Sequence, residues 1–335
     1  MNAVIPAHPL ALTAGRTLDE RRQAALTRYY VAAGVSGLAV GVHTTQFEIR
    51  TAGLLEPVLR LAADVVAESR RTPVSGQPAG PPGAGRFQLI AGACGPVGQA
   101  VQEAELAAGL GYNAVLLSPV VPGASEADLL ERARAVGEVL PVVGFYLQTA
   151  IGGPVLSRRF WRELAEQPST VAVKVAAFDR YRTLEVAHGV AASSRADQVV
   201  LYTGNDDHII GDLLADLPGG LRFSGGLLGQ WAVWTRAAVD MVAGLAKDPE
   251  LWASRAAALT DANAAVFDAA NGFAGCIAGV HEVLRRQRLL EGIWCLDPDE
   301  GLSPGQAEEL TRVSGAYPWL TDDDFVSEHL DDWLG

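Results

Sequence analysis

The stretch Ser169-Thr170-Val171-Ala172-Val173-Lys174-Val175-Ala176-Ala177-Phe178-Asp179 reads as a short buried strand with a lysine in its middle. Side chains alternate across a strand, so Val171, Val173 and Val175 share one face and Ala172, Lys174 and Ala176 share the other. The valine face is bulky and suited to packing under helices. The opposite face is narrow and carries one amine. An amine held there loses hydration, which disfavours its charged form and makes the neutral nucleophile accessible near neutral pH. Those are the requirements of a Schiff-base lysine. The alternative is a strand-end lysine reaching solvent. Composition argues for the first: of 26 Lys+Arg only Lys174 and Lys247 are lysines. Lys247 closes a helical run before Asp248-Pro249, where a cation suits the helix C-terminus.

The same strand-then-helix pattern extends outward in both directions. Ahead of this stretch the strand candidates are Pro9–Thr13, Gly37–Val42, Phe87–Ala93, Asn113–Ser118 and Pro141–Tyr146; after it come Gln198–Gly204 and Leu221–Gly225. Helical patterns follow each, including Leu18–Ala33, which opens on Thr17-x-x-Glu20 as a capping box and closes on Gly34. The strands are continuous apolar runs, as expected when both faces are covered. Eight such units in roughly 250 residues match a TIM (β/α)8 barrel. A doubly wound open sheet is the alternative, but no G-x-G-x-x-G follows the early strands. We expect the barrel to occupy 1–248 and a C-terminal helical extension, packed on the barrel, to occupy 249–335. The Pro/Gly-rich stretch Arg71–Arg86 joins a helix to a strand and is expected on the face away from the site. The acidic segment Asp322–Asp332 reads as a solvated helix face or a partner-binding tail.

Bulk properties narrow the function. A net charge of -13 argues against a nucleic-acid or anionic-membrane partner. The longest near-apolar run, Tyr29–Val42, is too short to span a bilayer. Cys94, Cys276 and Cys295 are scattered and odd in number, which reads as free thiols in a reducing, cytoplasmic setting. No basic n-region precedes the early apolar residues, so no signal peptide is expected.

In such a barrel the chemistry sits at the C-terminal ends of the strands. Those ends offer His43-Thr44-Thr45, Tyr146, Lys174, Asn205-Asp206-Asp207-His208 and Ser224-Gly225-Gly226. Tyr146 shares a strand face with Gly144. If that face points inward, its phenol stands beside Lys174 and shuttles protons; otherwise it is a core tyrosine. Thr44 and Thr45 suit a carboxylate, or are a strand-end β-former pair.

The order His43-Thr44-Thr45-Gln46-Phe47, Tyr146, Lys174 and Thr203-Gly204-Asn205-Asp206 resembles the dihydrodipicolinate synthase / N-acetylneuraminate lyase family of class I aldolases. Its members carry Gly-Thr-Thr-Gly-Glu, a Tyr-Asn-x-Pro tyrosine, a Gly-x-Lys strand and a Gly-x-Asp turn at these places. The resemblance runs from about Pro9 to Leu310. It implies that Lys174 forms a Schiff base with a 2-keto acid such as pyruvate and that Tyr146 shuttles protons. It also implies that Thr44 and Thr45 hold the keto acid's carboxylate, that Thr45 joins the relay, and that Ser224 lines the pocket. It further implies an aldehyde or sugar-acid second substrate, no cofactor, and a homo-oligomer, either dimer or tetramer. His43 and Phe47 replace the motif's flanking Gly and Glu, and no Asn, Pro or Arg follows Tyr146. No tyrosine follows Ser118-Pro119. The lysine-biosynthetic reaction is therefore not expected, and the second-substrate pocket reads as rebuilt. His43 is a candidate acid/base or second-substrate contact, the alternative being a satisfied polar residue. Two rival readings remain open. One is a barrel that binds a keto acid or sugar acid without turnover. The other is a metal-dependent enzyme using His43, Asp206, Asp207 and His208.

Overall fold

The computed structural model describes residues 2–71 and 87–335. Most of the Arg71–Arg86 stretch lies outside the described residues, and with it the expected placement of that loop. Eight parallel strands run β1 Ala3–Pro6, β2 Gly37–Val40, β3 Gln88–Ala93, β4 Ala114–Leu117, β5 Val142–Leu147, β6 Thr170–Ala176, β7 Val200–Thr203 and β8 Phe223–Leu228. From β2 to β8 each pairs with the next in sequence, and β1 pairs with β8. A parallel bridge between Ala7 and Ala39, with the His8 N–H donating to the Ala39 carbonyl at 2.8 Å, closes β1 against β2. The result is a TIM barrel.

Helices α1 Glu20–Ala33, α2 Leu55–Arg71, α3 Val97–Gly109, α4 Glu126–Gly137, α5 Arg158–Glu166, α6 Arg180–Ala191, α7 Ile209–Leu214 and α8 Thr235–Leu245 alternate with the strands. The first strand is Ala3–Pro6 and not Pro9–Thr13. Two prolines and small residues mask its short Val4-Ile5 apolar core. Helix α1 begins at Glu20, because Asp19 and not Thr17 caps it: the Asp19 carboxylate accepts the Arg22 N–H at 3.0 Å. Thr17 is instead engaged with Thr13 through their hydroxyls at 2.8 Å.

Two cores follow from the period-2 alternation of the strands. Inside the barrel, Ile5, Ala39, Ile90, Leu116, Val143, Ala172 and Leu227 belong to one buried cluster. Outside it, Val173, Val175, Leu201 and Val142 pack under the helices in a second, larger cluster. The alternation read for the lysine strand therefore holds: Ala172 and Ala176 face in, and Val173 and Val175 face out.

After α8 the chain forms α9 Pro249–Ser254, α10 Ala256–Val266, α11 Cys276–Arg286, α12 Gln306–Ala316 and α13 Asp323–Leu334. The acidic tail forms a helix whose carboxylates Asp323, Asp324, Glu328, Asp331 and Asp332 are solvent-exposed, while its apolar face is docked. Helix α13 docks on α1: Trp333 is buried, and Arg28 donates to the Trp333 carbonyl at 2.7 Å. Asp322 accepts from the Tyr29 hydroxyl at 2.7 Å and from the Arg236 N–H at 2.9 Å.

Candidate active site

A cavity of about 630 Å³, counting its open mouth, lies at the C-terminal ends of the strands. Lys174 projects into it from β6, only 9% exposed. Its ammonium nitrogen lies 4.6 Å from the ring centre of Phe145, its register partner on β5. Its stem fits because Gly204, after β7, has no side chain. A Cβ at Gly204 would come within 2.6 Å of Lys174 Cε and 2.8 Å of Ala176 Cβ. Burial pushes the Lys174 amine down to about 8, against a smaller upward pull from the Asp206 carboxylate.

Asp206 lines the same cavity and is also buried. Its Oδ1 accepts the Gln230 N–H at 2.9 Å. Burial raises its carboxyl far above the usual range, while that N–H and the Lys174 charge pull it back. The two groups line the same cavity, and the charge of each favours the charged form of the other. The loop that carries Asp206 is fixed from below. Asn205 Nδ2 donates to Asp212 Oδ2 at 2.8 Å, the Thr203 hydroxyl donates to the same oxygen at 2.6 Å, and Arg180 pairs with the other. The Asn205 side-chain carbonyl accepts the Phe178 N–H at 3.0 Å, which ties the β6 and β7 loops together.

Gly41, at φ 75°, turns the chain after β2 into a tight turn over His43–Thr45. His43 and Thr44 line the cavity. Burial, aided by the Lys174 charge, lowers the His43 imidazole to about 4, so it is neutral at neutral pH. Thr44 directs its hydroxyl toward the His8 carbonyl at a long 3.4 Å.

Three expected site residues lie elsewhere. Thr45 is fully buried beneath the turn. Its hydroxyl donates to the His8 carbonyl at 2.7 Å and accepts from the N–H groups of Gly41 and Val42, at 3.0 and 3.2 Å. It holds the turn and does not line the cavity. Tyr146 faces outward, where its ring stacks on Trp161 with centroids 5.5 Å apart. The reason is the pairing of Lys174 with Phe145: Phe145 takes the inward position, and its neighbour must take the other face. Gly144 shares that outer face and leaves room for α5; a Cβ there would meet Leu164 at 2.6 Å. Ser224 is exposed near the start of β8, at the end of the barrel opposite the cavity. The cavity touches the chain after β8 at Gly229 instead.

The rest of the lining was not read from the sequence: Phe145, Leu147, Phe178, Phe267, Phe273 and Cys276 among others. Burial raises the Cys276 thiol well above its ordinary value, which keeps it protonated. The signal for Asp206 was present in the Gly204-Asn205-Asp206 turn. Among the described residues no three or more His, Cys, Asp or Glu side chains converge as a metal site. His43 lies in the cavity and His208 is exposed beyond it.

The geometry defines a parallel (β/α)8 barrel with a buried lysine at its mouth. No protein-family model matches the chain, and no curated protein matches its sequence. Solved structures do match. Dihydrodipicolinate synthase from Bacillus anthracis is 18% identical, with a TM-score of 0.75 over 94% of this chain and 98% of that one. YagE, a prophage protein of E. coli K12 belonging to the dihydrodipicolinic acid synthase family and solved in complex with pyruvate, is also 18% identical. Its TM-score is 0.76 over 96% of this chain and 98% of that one. N-acetylneuraminate lyase from Mycoplasma synoviae is 15% identical, with a TM-score of 0.71 over 95% of this chain and 97% of that one. These proteins share one fold, C-terminal helices included, and this chain has it.

Proposed function

We propose that the chain is a divergent class I lyase or aldolase of the dihydrodipicolinate synthase / N-acetylneuraminate lyase type, acting on a 2-keto acid through Lys174. One observation carries this reading: the barrel holds a single buried lysine in its mouth, its amine pushed down to about 8 and faced by Asp206. The pyruvate complex of YagE, a protein of the same fold, supports the substrate class.

In this reading the neutral Lys174 amine adds to C2 of the keto acid, and the carbinolamine loses water to give an iminium. Loss of a C3 proton gives the enamine. Its C3 then attacks an aldehyde carbon, the carbonyl oxygen takes up a proton, and water releases the 4-hydroxy-2-oxo acid; cleavage is the reverse. Asp206 is the proton carrier best placed by its raised carboxyl, with neutral His43 opposite. Thr44 takes the keto acid's carboxylate, and Thr45 acts through the turn that places it. The oligomeric state of the related enzymes and a cytoplasmic setting belong to this proposal, the second resting on three unpaired cysteines.

A mass increase matching a reduced pyruvyl adduct, after incubation with pyruvate and sodium borohydride, is the expected result; an unchanged mass with several 2-keto acids counts against it. A second reading, keto-acid binding without turnover, draws on one observation. No tyrosine is among the described residues lining the cavity; Tyr202, the register partner of Lys174 on β7, is half-buried outside it. Adduct formation with no turnover on any aldehyde would favour that reading.

A further inference from the structure

Among the described residues, the cavity that holds Lys174 offers few groups that bind a charged or hydroxylated molecule. Its wall beyond the lysine is built from three parts of the chain. Leu147 and Ile151 come from the end of β5 and the turn after it, Phe178 from the loop after β6, and Phe267 and Phe273 from the helical extension. Phe178 and Phe273 meet edge to face, with ring centroids 5.8 Å apart, and close this side with aromatic surface.

The polar groups are few, and several are already engaged. Lys174 is the only cationic side chain among the described residues of the lining, and in the Schiff-base reading it is covalently committed to the keto acid. The remaining charge is the Asp206 carboxyl, which in ionised form repels an anion. One of its oxygens already accepts the Gln230 N–H. The Thr44 hydroxyl, which makes only a long 3.4 Å approach to the His8 carbonyl, is given to the keto acid's own carboxylate in that reading and is not free for the second substrate. That leaves His43 and Gln148 as the uncharged polar contacts. A carboxylate on the second substrate would be desolvated without a cation, and a polyol would lose more hydrogen bonds to water than it gained.

We infer that the acceptor half of this cavity takes an uncharged, apolar aldehyde, aryl or branched alkyl, and not a carboxylated or polyhydroxylated one. This rests on the Schiff-base reading of Lys174. The reaction is the condensation described above: the enamine carbon bonds to the aldehyde carbon, the carbonyl electron pair moves to oxygen and is protonated, and one water hydrolyses the imine. The product is a 4-hydroxy-2-oxo acid with an apolar group on C4, and the reverse cleaves that acid to pyruvate and the aldehyde.

The test uses the whole protein with pyruvate and four aldehydes: benzaldehyde, isobutyraldehyde, succinic semialdehyde and glyceraldehyde. Product is followed by mass spectrometry, with borohydride trapping of pyruvate alone run in parallel. The expected result is kcat/KM at least about tenfold higher for the two apolar aldehydes than for the other two, of the order an apolar pocket achieves. Ile151→Arg, at the half-buried rim, is expected to shift that ratio toward succinic semialdehyde, and Leu147→Arg is the second variant should the first misfold. A trapped adduct together with equal or better use of the charged or hydroxylated aldehydes would overturn the inference. So would a trapped adduct with none of the four condensed. A missing adduct is a separate result: it removes the Schiff-base reading, and the acceptor inference falls with it.

Discussion

Lys174 stands 4.6 Å over the ring of Phe145, and the next residue along β5, Tyr146, points the opposite way onto Trp161. The inward neighbour of the lysine on β5 is thus a ring with no proton to give. A cation held over an aromatic face gains about 0.5–2 kcal/mol, which partly offsets burial of the amine. Proton transfer at the site falls to other groups, with Asp206 the first of them.

The outward tyrosine gives the simplest prediction. Its hydroxyl is buried and makes no well-formed hydrogen bond, only a weak approach to the Leu156 backbone. Tyr146→Phe should therefore change stability by no more than about 1 kcal/mol, because an unpaired buried hydroxyl contributes little. It should leave the rate of pyruvate trapping within about twofold, because the phenol does not line the cavity and a loss of about 1 kcal/mol leaves a domain of ordinary stability folded. A large loss of trapping with intact folding would return Tyr146 to the chemistry.

Gly204 is where the lysine is most vulnerable. A methyl group there would sit 2.6 Å from Lys174 Cε, so the stem must move. Gly204→Ala should reduce trapping by about tenfold or more, as displacing a reacting group by an ångström does. The thermal unfolding cost should be about 1–3 kcal/mol, typical of overpacking. Trapping at the normal rate in this variant would show that the stem has another path.

The pH dependence follows from the two buried groups. The neutral amine is the nucleophile, and burial lowers Lys174 to about 8. Imine formation, followed by cyanoborohydride capture, should rise with pH and level off above that value. Asp206 holds the lysine's pKa up, so Asp206→Asn should move the inflection to lower pH. An inflection that stays near the ordinary lysine value of about 10.4 would mean that the amine is hydrated.

Stability should weaken in mild acid. His8, His43 and His281 are each lowered by burial to about 4, from an unfolded value near 6.5. Between those values the unfolded chain binds protons at these three sites that the folded chain does not, so their contribution is full above pH 6.5 and declines as pH falls toward 4, offset in part by buried carboxyls such as Asp206 that are raised and work the other way. Urea unfolding from pH 7.5 to 4.5 checks this, and His281→Gln, remote from the lysine cavity, should flatten the slope. A midpoint independent of pH over that range would contradict it.

The Tyr29 hydroxyl is one of the ties that hold the start of helix α13 to the barrel. Tyr29 donates to Asp322 at 2.7 Å and accepts the Thr235 N–H at 2.7 Å. Tyr29→Phe leaves a buried N–H and a buried carboxylate short of partners, at a cost of about 1–3 kcal/mol. Pyruvate trapping should be unchanged, because none of these residues lines the cavity. Hydrogen exchange of α13 would register the loosening.

The barrel was legible because eight apolar runs alternate with helical patterns, and the β6 faces were legible because valine and alanine differ in bulk. The faces of β5 were not. In Val142–Leu147 every position other than glycine is apolar, so period-2 alternation leaves no mark on polarity. Gly144 held the answer, since only the helix-facing side needs that gap, but this becomes visible once α5 is in place. Thr45 was misplaced for a related reason: a threonine at a strand end serves a ligand or the turn equally well, and here its hydroxyl is consumed by the turn. The roof of the cavity comes from Phe267 and Phe273, about one hundred residues beyond Lys174, which no local pattern connects to it.

The most direct test of the central claim is peptide mapping of the protein trapped with pyruvate and borohydride. The chain has two lysines and an α-amino group as candidates. One reduced pyruvyl group is expected, on the peptide that contains Lys174, and none in Lys174→Ala. An adduct on Lys247 or the N-terminus alone, or no adduct on a folded protein, would contradict it.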